Sequence, residues 1–118
     1  MEFTLNFLEL FLVGIYLAAP LLLLLVLVIV VLGQIVGRKE SWARYDALYW
    51  SFVTATTLGY GDFRPSRKIS KVLAIVIAFT GIILTGIIVS LALYSASESF
   101  KIDRDMKVMK ANIQSRLK

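Results

Sequence analysis

Cysteine and histidine are both absent from the 118 residues of this chain. Their absence excludes a disulfide framework, a thiolate nucleophile, a histidine-based metal site and a Ser–His pair, and with them most enzyme chemistry. Carboxylates do not fill the gap, because none cluster outside Asp103 and Asp105. Charge is missing altogether from two long stretches, one between Glu9 and Arg38 and one between Lys71 and Glu98. Each is longer than the roughly 20 residues that carry a helix across a ~30 Å hydrocarbon core. The first contains Leu21–Leu32, an unbroken run of Leu, Val and Ile. Hydrophobic residues make up 58% of the chain, above the ~45–50% of an average soluble domain. A secretory signal peptide does not fit the first stretch, which lacks a basic n-region and is too long for an h-region. These features predict two transmembrane helices in a single domain.

The formal net charge of +5 does not indicate nucleic acid as a partner. Seven of the thirteen Lys and Arg residues lie between Arg38 and Lys71 and six follow Phe100, at the edges of the apolar stretches. With seven against six, the positive-inside rule assigns no orientation.

The chain divides into an outer transmembrane helix in residues 1–40, a connecting region in 41–68, an inner transmembrane helix in 69–98 and a polar tail in 99–118. Pro20 predicts a local kink in the first helix. In the connection, Trp42, Tyr45, Tyr49, Trp50 and Phe52 suit a membrane interface. Ala47, Trp50, Val53 and Thr54 recur at helical spacing, so a short helix is expected from about Asp46 to Ala55, too short to span. The tail places Ile102, Met106, Met109, Ile113 and Leu117 on one stripe, as in an amphipathic helix that is either solvated or bundled between subunits. Gly81 and Gly86 interrupt the second apolar stretch, where glycine permits close packing or bending.

Between the short helix and the second span the chain reads TATTLGYGDFRP (residues 54–65), which suits neither a long helix nor an ordinary strand. Irregular backbone at membrane depth is tolerated only where protein buries it or it lines a watery cavity. A span, a short helix, a Gly-rich segment and a second span together describe a re-entrant loop that enters and leaves on one side. Such a loop offers carbonyl oxygens, which suit hard cations.

Thr57-Leu58-Gly59-Tyr60-Gly61-Asp62 resembles the selectivity-filter signature of potassium channels, and nearly the whole chain shares that family's order of outer helix, pore helix, filter and inner helix. The resemblance implies an all-α membrane protein with a re-entrant pore helix and filter, assembled as a homotetramer around a central pore. It also implies a plasma-membrane location with both termini cytoplasmic. In that family four TVGYG loops replace the hydration shell of K⁺ with carbonyl oxygens, and that mechanism is carried over here by resemblance. Thr57, Leu58, Gly59, Tyr60 and Gly61 would form the K⁺-binding filter, with the carbonyls of Thr57 to Tyr60 as ligands and the Thr57 hydroxyl joining them. Carbonyls that all face inward need backbone angles of alternating hand, and glycine alone visits positive φ without strain.

By the same resemblance, Tyr60, Tyr49 and Trp50 would form an aromatic cuff and Asp62 would brace the outer mouth, hydrogen-bonded to the Tyr49 hydroxyl. Val53 stands where some relatives carry a carboxylate that pairs with the equivalent of Asp62. Arg64 would ring the outer mouth with positive charge and repel cations. Gly81 falls at the inner-helix hinge and Gly86 at a packing position. Thr85 and Val89 would face the cavity, and Tyr94 and Ser97 would lie near the gate.

The expected function is therefore a passive K⁺-selective pore in the lipid bilayer, with K⁺ as permeant ligand, no cofactor and no nucleic-acid partner. No row of voltage-sensing arginines is visible. Such pores often carry a cytoplasmic regulatory domain, and the sequence is compatible with a pore from which that domain is missing. Two other readings share many of these features: a nonselective cation channel, and a membrane-anchored interaction subunit that does not conduct. The first usually lacks part of the Gly-Tyr-Gly sequence, which is intact here at Gly59-Tyr60-Gly61.

Overall fold

The structure is a computed structural model and describes residues 1–117. It contains three helices: α1 (Glu2–Glu40), α2 (Arg44–Ala55) and α3 (Lys68–Leu117). There is no strand among the described residues. Both α1 and α3 are long and apolar enough to cross a membrane. Leu12, Leu23, Ile75 and Phe79 are each more than half exposed, as side chains facing hydrocarbon would be.

Helix α1 runs continuously through Pro20. Its ends match its dipole, with Glu2 in the first turn and Arg38 and Lys39 in the last. Helix α3 is also unbroken, passing through Ser97-Glu98-Ser99, where the sequence suggested a change from span to tail. Lys118, the last residue of that expected tail, lies outside the described residues. Helix α2 begins at Arg44, two residues before the expected Asp46. Its N-cap is Ala43, whose side chain caps nothing, and Asp46 sits in the first turn.

The chain forms two compact units. One comprises Ala19–Ile87 and carries α2 and the loop after it. Its core is a cluster of Ile29, Val36, Trp50, Ala55 and Ile77, with Leu32, Trp42, Phe63, Leu73, Ala74 and Leu84 packed around it. Helix α2 docks on α1 through small residues spaced by four on both helices. A Cβ added to Gly33 would come within 2.7 Å of the Ser51 Cβ, and one added to Gly37 within 2.5 Å of the Ala47 Cβ. Gly33-x3-Gly37 therefore meets Ala47-x3-Ser51, and the backbones approach as closely as in a small-xxx-small crossing. The buried Ser51 hydroxyl is satisfied within its own helix, donating to the Ala47 carbonyl at 2.6 Å.

The same unit joins the end of α1 to the start of α3. The first turn of α3 contains no acidic residue and is preceded by Arg67, an unfavourable arrangement at the positive end of a helix dipole. Glu40 supplies the missing acceptor. Its carboxylate accepts the Ser66 backbone N–H, the Ser66 hydroxyl (2.8 Å) and the Arg67 backbone N–H (3.0 Å).

The other unit consists of Met1–Ala18 with the part of α3 from Ile88 onward. Phe3, Phe7 and Phe11 stack at successive helical turns, with centroids 6.5 and 5.8 Å apart, and Phe3 meets Phe100 at 4.5 Å. Further along, Gly14 admits Leu91, whose Cδ2 lies 3.2 Å from where a Cβ would stand.

Candidate functional site

The irregular segment begins where α2 runs out of helical partners. A helix leaves its last four carbonyls without intrahelical donors. Three of those in α2 are taken up at once. Phe52 O accepts the Thr56 N–H (2.9 Å) and the Thr56 hydroxyl (2.6 Å), Thr54 O accepts the Thr57 N–H (3.2 Å), and Val53 O accepts the Gly59 N–H (3.3 Å). Val53 is thus tied to the segment through its backbone, its side chain having no carboxylate to offer. The fourth carbonyl, Ala55 O, faces α3. A Cβ on Gly81 would overlap it and would stand 2.5 and 2.6 Å from the Ala55 C and Cα.

Beyond Thr56 the backbone alternates in hand. Thr57 has φ +65°, Gly59 +58° and Gly61 +80°, while Leu58 and Tyr60 between them are not in the positive region. Two of the three positions are the glycines expected to take this conformation. Thr57 is the exception: a β-branched residue with positive φ is an outlier that costs on the order of 1–3 kcal/mol and persists only where its surroundings impose it. The bond from Thr57 N–H to Thr54 O shows one such constraint. Residues 56–62 are all exposed, including the large side chains of Leu58 (61%) and Tyr60 (68%).

The aromatic residues near this segment form a cluster within the chain. Trp50 is buried and meets Trp42 edge-on at 5.3 Å, Phe63 meets Trp42 at 5.3 Å, and Tyr49 meets Phe63 at 6.3 Å. Tyr60 joins none of these ring pairs. Phe63, which carried no expected role, is the residue that links the turn after Asp62 to α2. The Tyr49 phenol is held above its usual pKa, first by desolvation and then by the facing Asp62 carboxylate. Arg64 folds back over the segment, its Nε donating to the Gly61 carbonyl at 3.1 Å.

On α3, Gly81 is buried at its contact with Ala55, whereas nothing in the chain lies within 4 Å of a Cβ on Gly86. Within the chain, then, Gly81 is a close-packing position. Thr85, Val89, Tyr94 and Ser97 are exposed. Tyr94 also lines a groove of about 500 Å³ with Leu10, Val13, Gly14 and Leu17 of α1. Among the described residues no three Asp, Glu, Cys or His side chains are grouped to hold a metal ion.

The family model for ion channels matches residues 10–94, which covers α1 from Leu10 onward, α2, the alternating segment and α3 up to Tyr94. The chain belongs to the ion channel family. As an ion channel chain with two helices long and apolar enough to span, it is a membrane protein of a transport family. It is 46% identical over 59 residues to two-pore potassium channel 1 of Arabidopsis thaliana, covering 50% of this chain and 16% of that protein. It is 55% identical over 38 residues to a voltage-gated potassium channel of Aeropyrum pernix, covering 32% and 13%. To potassium channel protein 1 of Methanocaldococcus jannaschii it is 31% identical over 61 residues, covering 52% and 18%. This ion channel chain thus spans less than a fifth of the length of each of these relatives. No solved structure matches it significantly.

Proposed function

We propose that this ion channel chain is a subunit of a potassium-selective pore, and that Thr57–Gly61 is its selectivity filter. The observation that carries the proposal is the alternation of backbone hand at Thr57, Gly59 and Gly61. Successive residues of opposite hand turn successive carbonyls toward one side, which is what a column of oxygen ligands for a dehydrated cation requires. The similarity to proteins named as potassium channels supports K⁺ as the permeant ion.

The bonds from Ser66 and Arg67 to Glu40 support a re-entrant loop. They bring the last residue of α1 to the start of α3, so α2 and the filter leave and return at one end of the spans. In this reading α2 is the pore helix and both termini lie on the opposite, cytoplasmic side of the plasma membrane. One filter segment cannot surround an ion, so four subunits around a common axis complete the site. The exposed Leu58 and Tyr60 side chains are consistent with surfaces that a neighbouring subunit covers. Asp62 and Tyr49 brace the filter, Thr85 and Val89 face the cavity, and Tyr94 and Ser97 lie near the inner gate, with Gly81 as its hinge.

Flux into liposomes tests this reading. Reconstituted protein is expected to pass Tl⁺ and K⁺ and to be blocked by Ba²⁺, a divalent ion of nearly the size of K⁺. Absence of flux would leave a non-conducting anchor, and equal passage of Na⁺ would leave a nonselective pore.

A further inference from the structure

Arg64 is bracketed by residues that are themselves pinned. On one side Phe63 packs against Trp42 and Tyr49. On the other, Ser66 and Arg67 are bonded to Glu40, and Pro65, between Arg64 and Ser66, has its φ fixed by its ring. The turn is therefore held at both ends, and it delivers the Arg64 side chain to one place. Its Nε donates to the Gly61 carbonyl at 3.1 Å, and both Nε and Nη2 lie 3.5 Å from where a Cβ on Gly61 would stand. No carboxylate competes for it. The ion pair found among the described residues is Lys107–Asp103, far along α3, although Asp62 is only two residues from Arg64.

Gly61 has φ +80° and no Cβ, so its own side chain does not restrict how the following peptide is oriented. Its carbonyl follows that of Tyr60 at the end of the alternating run. We infer that Arg64 is a positioning residue for the outer end of the filter: its Nε–H fixes the orientation of the Gly61 peptide and thereby sets the affinity with which the carbonyls beneath it hold K⁺. Val53 offers no side-chain acceptor or donor from the pore helix, so this bond adds to the brace that Tyr49 and Asp62 supply. The inference rests on the filter reading above, and it assigns the hydrogen-bond donor, not the positive charge, as the active feature of Arg64.

Two substitutions separate donor from charge. Gln places its Nε2 donor at the same distance along the side chain as the Nε of Arg, without the charge. Met has the same reach, with a methyl group at that point. Arg64 is exposed, so neither change disturbs the core. The full chain, purified in detergent, is melted across a series of K⁺ concentrations, with Na⁺ replacing K⁺ at constant ionic strength. An ion that binds only the folded filter raises the melting temperature as its concentration passes its dissociation constant. Arg64→Gln is expected to need no more K⁺ than wild type for half-maximal protection. Arg64→Met is expected to need about fivefold more, the ratio that loss of one typical hydrogen bond gives. Equal behaviour of the Gln and Met variants, in either direction, would overturn the inference. A wild-type chain protected no better by K⁺ than by Na⁺ would instead remove the filter reading on which it rests.

Discussion

Replacing Gly81 by alanine adds one methyl group at a place where α3 touches the end of α2. The added Cβ would overlap the Ala55 carbonyl oxygen and stand 2.5 Å from its carbon, about 0.9 Å inside the 3.4 Å at which ordinary contact begins. The opposing atoms are backbone and cannot rotate aside, so the strain is relieved only by moving α3 away from α2. That movement opens the cluster in which Ala55 and Ile77 are buried together. Overpacking of this kind typically costs about 1–3 kcal/mol, and the helix-propensity gain of Gly→Ala returns at most ~1 kcal/mol. Because the overlap is with backbone atoms, the cost lies at the upper end of that range, and a net destabilisation of about 2 kcal/mol per chain is expected. Gly86→Ala is the control, because nothing lies within 4 Å of its Cβ and the propensity gain stands unopposed within the chain. Chemical denaturation in detergent, followed by circular dichroism, would show Gly81→Ala unfolding earlier than wild type and Gly86→Ala no earlier. A Gly81→Ala chain within about 0.5 kcal/mol of wild type would refute the packing argument and leave Gly81 with a hinge role alone.

Other outcomes follow from single residues. The Ser70 and Ser99 hydroxyls are buried without partners, so Ser70→Ala or Ser99→Ala is expected to be neutral or to stabilise by up to about 1 kcal/mol, read by the same unfolding curves. Removing the Glu40 carboxylate leaves the Ser66 and Arg67 amides without their acceptor, so Glu40→Ala should accelerate hydrogen exchange at those two amides while exchange at the centre of α1 stays unchanged. The Tyr49 phenol is raised above 10.0, so its stabilising neutral form is complete below the unfolded value and is lost as pH rises through the folded one. In an ultraviolet titration, the transition missing from Tyr49→Phe should have its midpoint above 10.0, and Asp62→Asn should lower it.

Local signals made the frame legible. Two charge-free stretches reveal two spans because membrane crossing depends on length and apolarity, both of which are read along the chain. Gly59 and Gly61 reveal the irregular segment because positive φ has a residue preference. Thr57 shares that backbone hand without sharing the preference, and its N–H is bonded to the end of α2, a contact not legible in its residue type. Contacts between distant residues were less visible. Glu40 caps a helix that begins 28 residues later, and Phe63 meets Trp42 and Tyr49 only once the turn has formed. The Gly33-x3-Gly37 and Ala47-x3-Ser51 spacings were present as a docking signal, but each pair has meaning only beside the other. Likewise, glycine marks both close packing and flexibility, so Gly81 and Gly86 cannot be distinguished until the neighbour of each is known.

Which ion passes is measured most directly by the reversal potential. With K⁺ on one side of a planar bilayer and Na⁺ on the other, currents through the reconstituted protein are predicted to reverse far from zero, toward the potential that opposes K⁺ flow. Reversal near zero, meaning equal permeability to the two ions, would contradict the assignment of Thr57–Gly61 as a potassium filter.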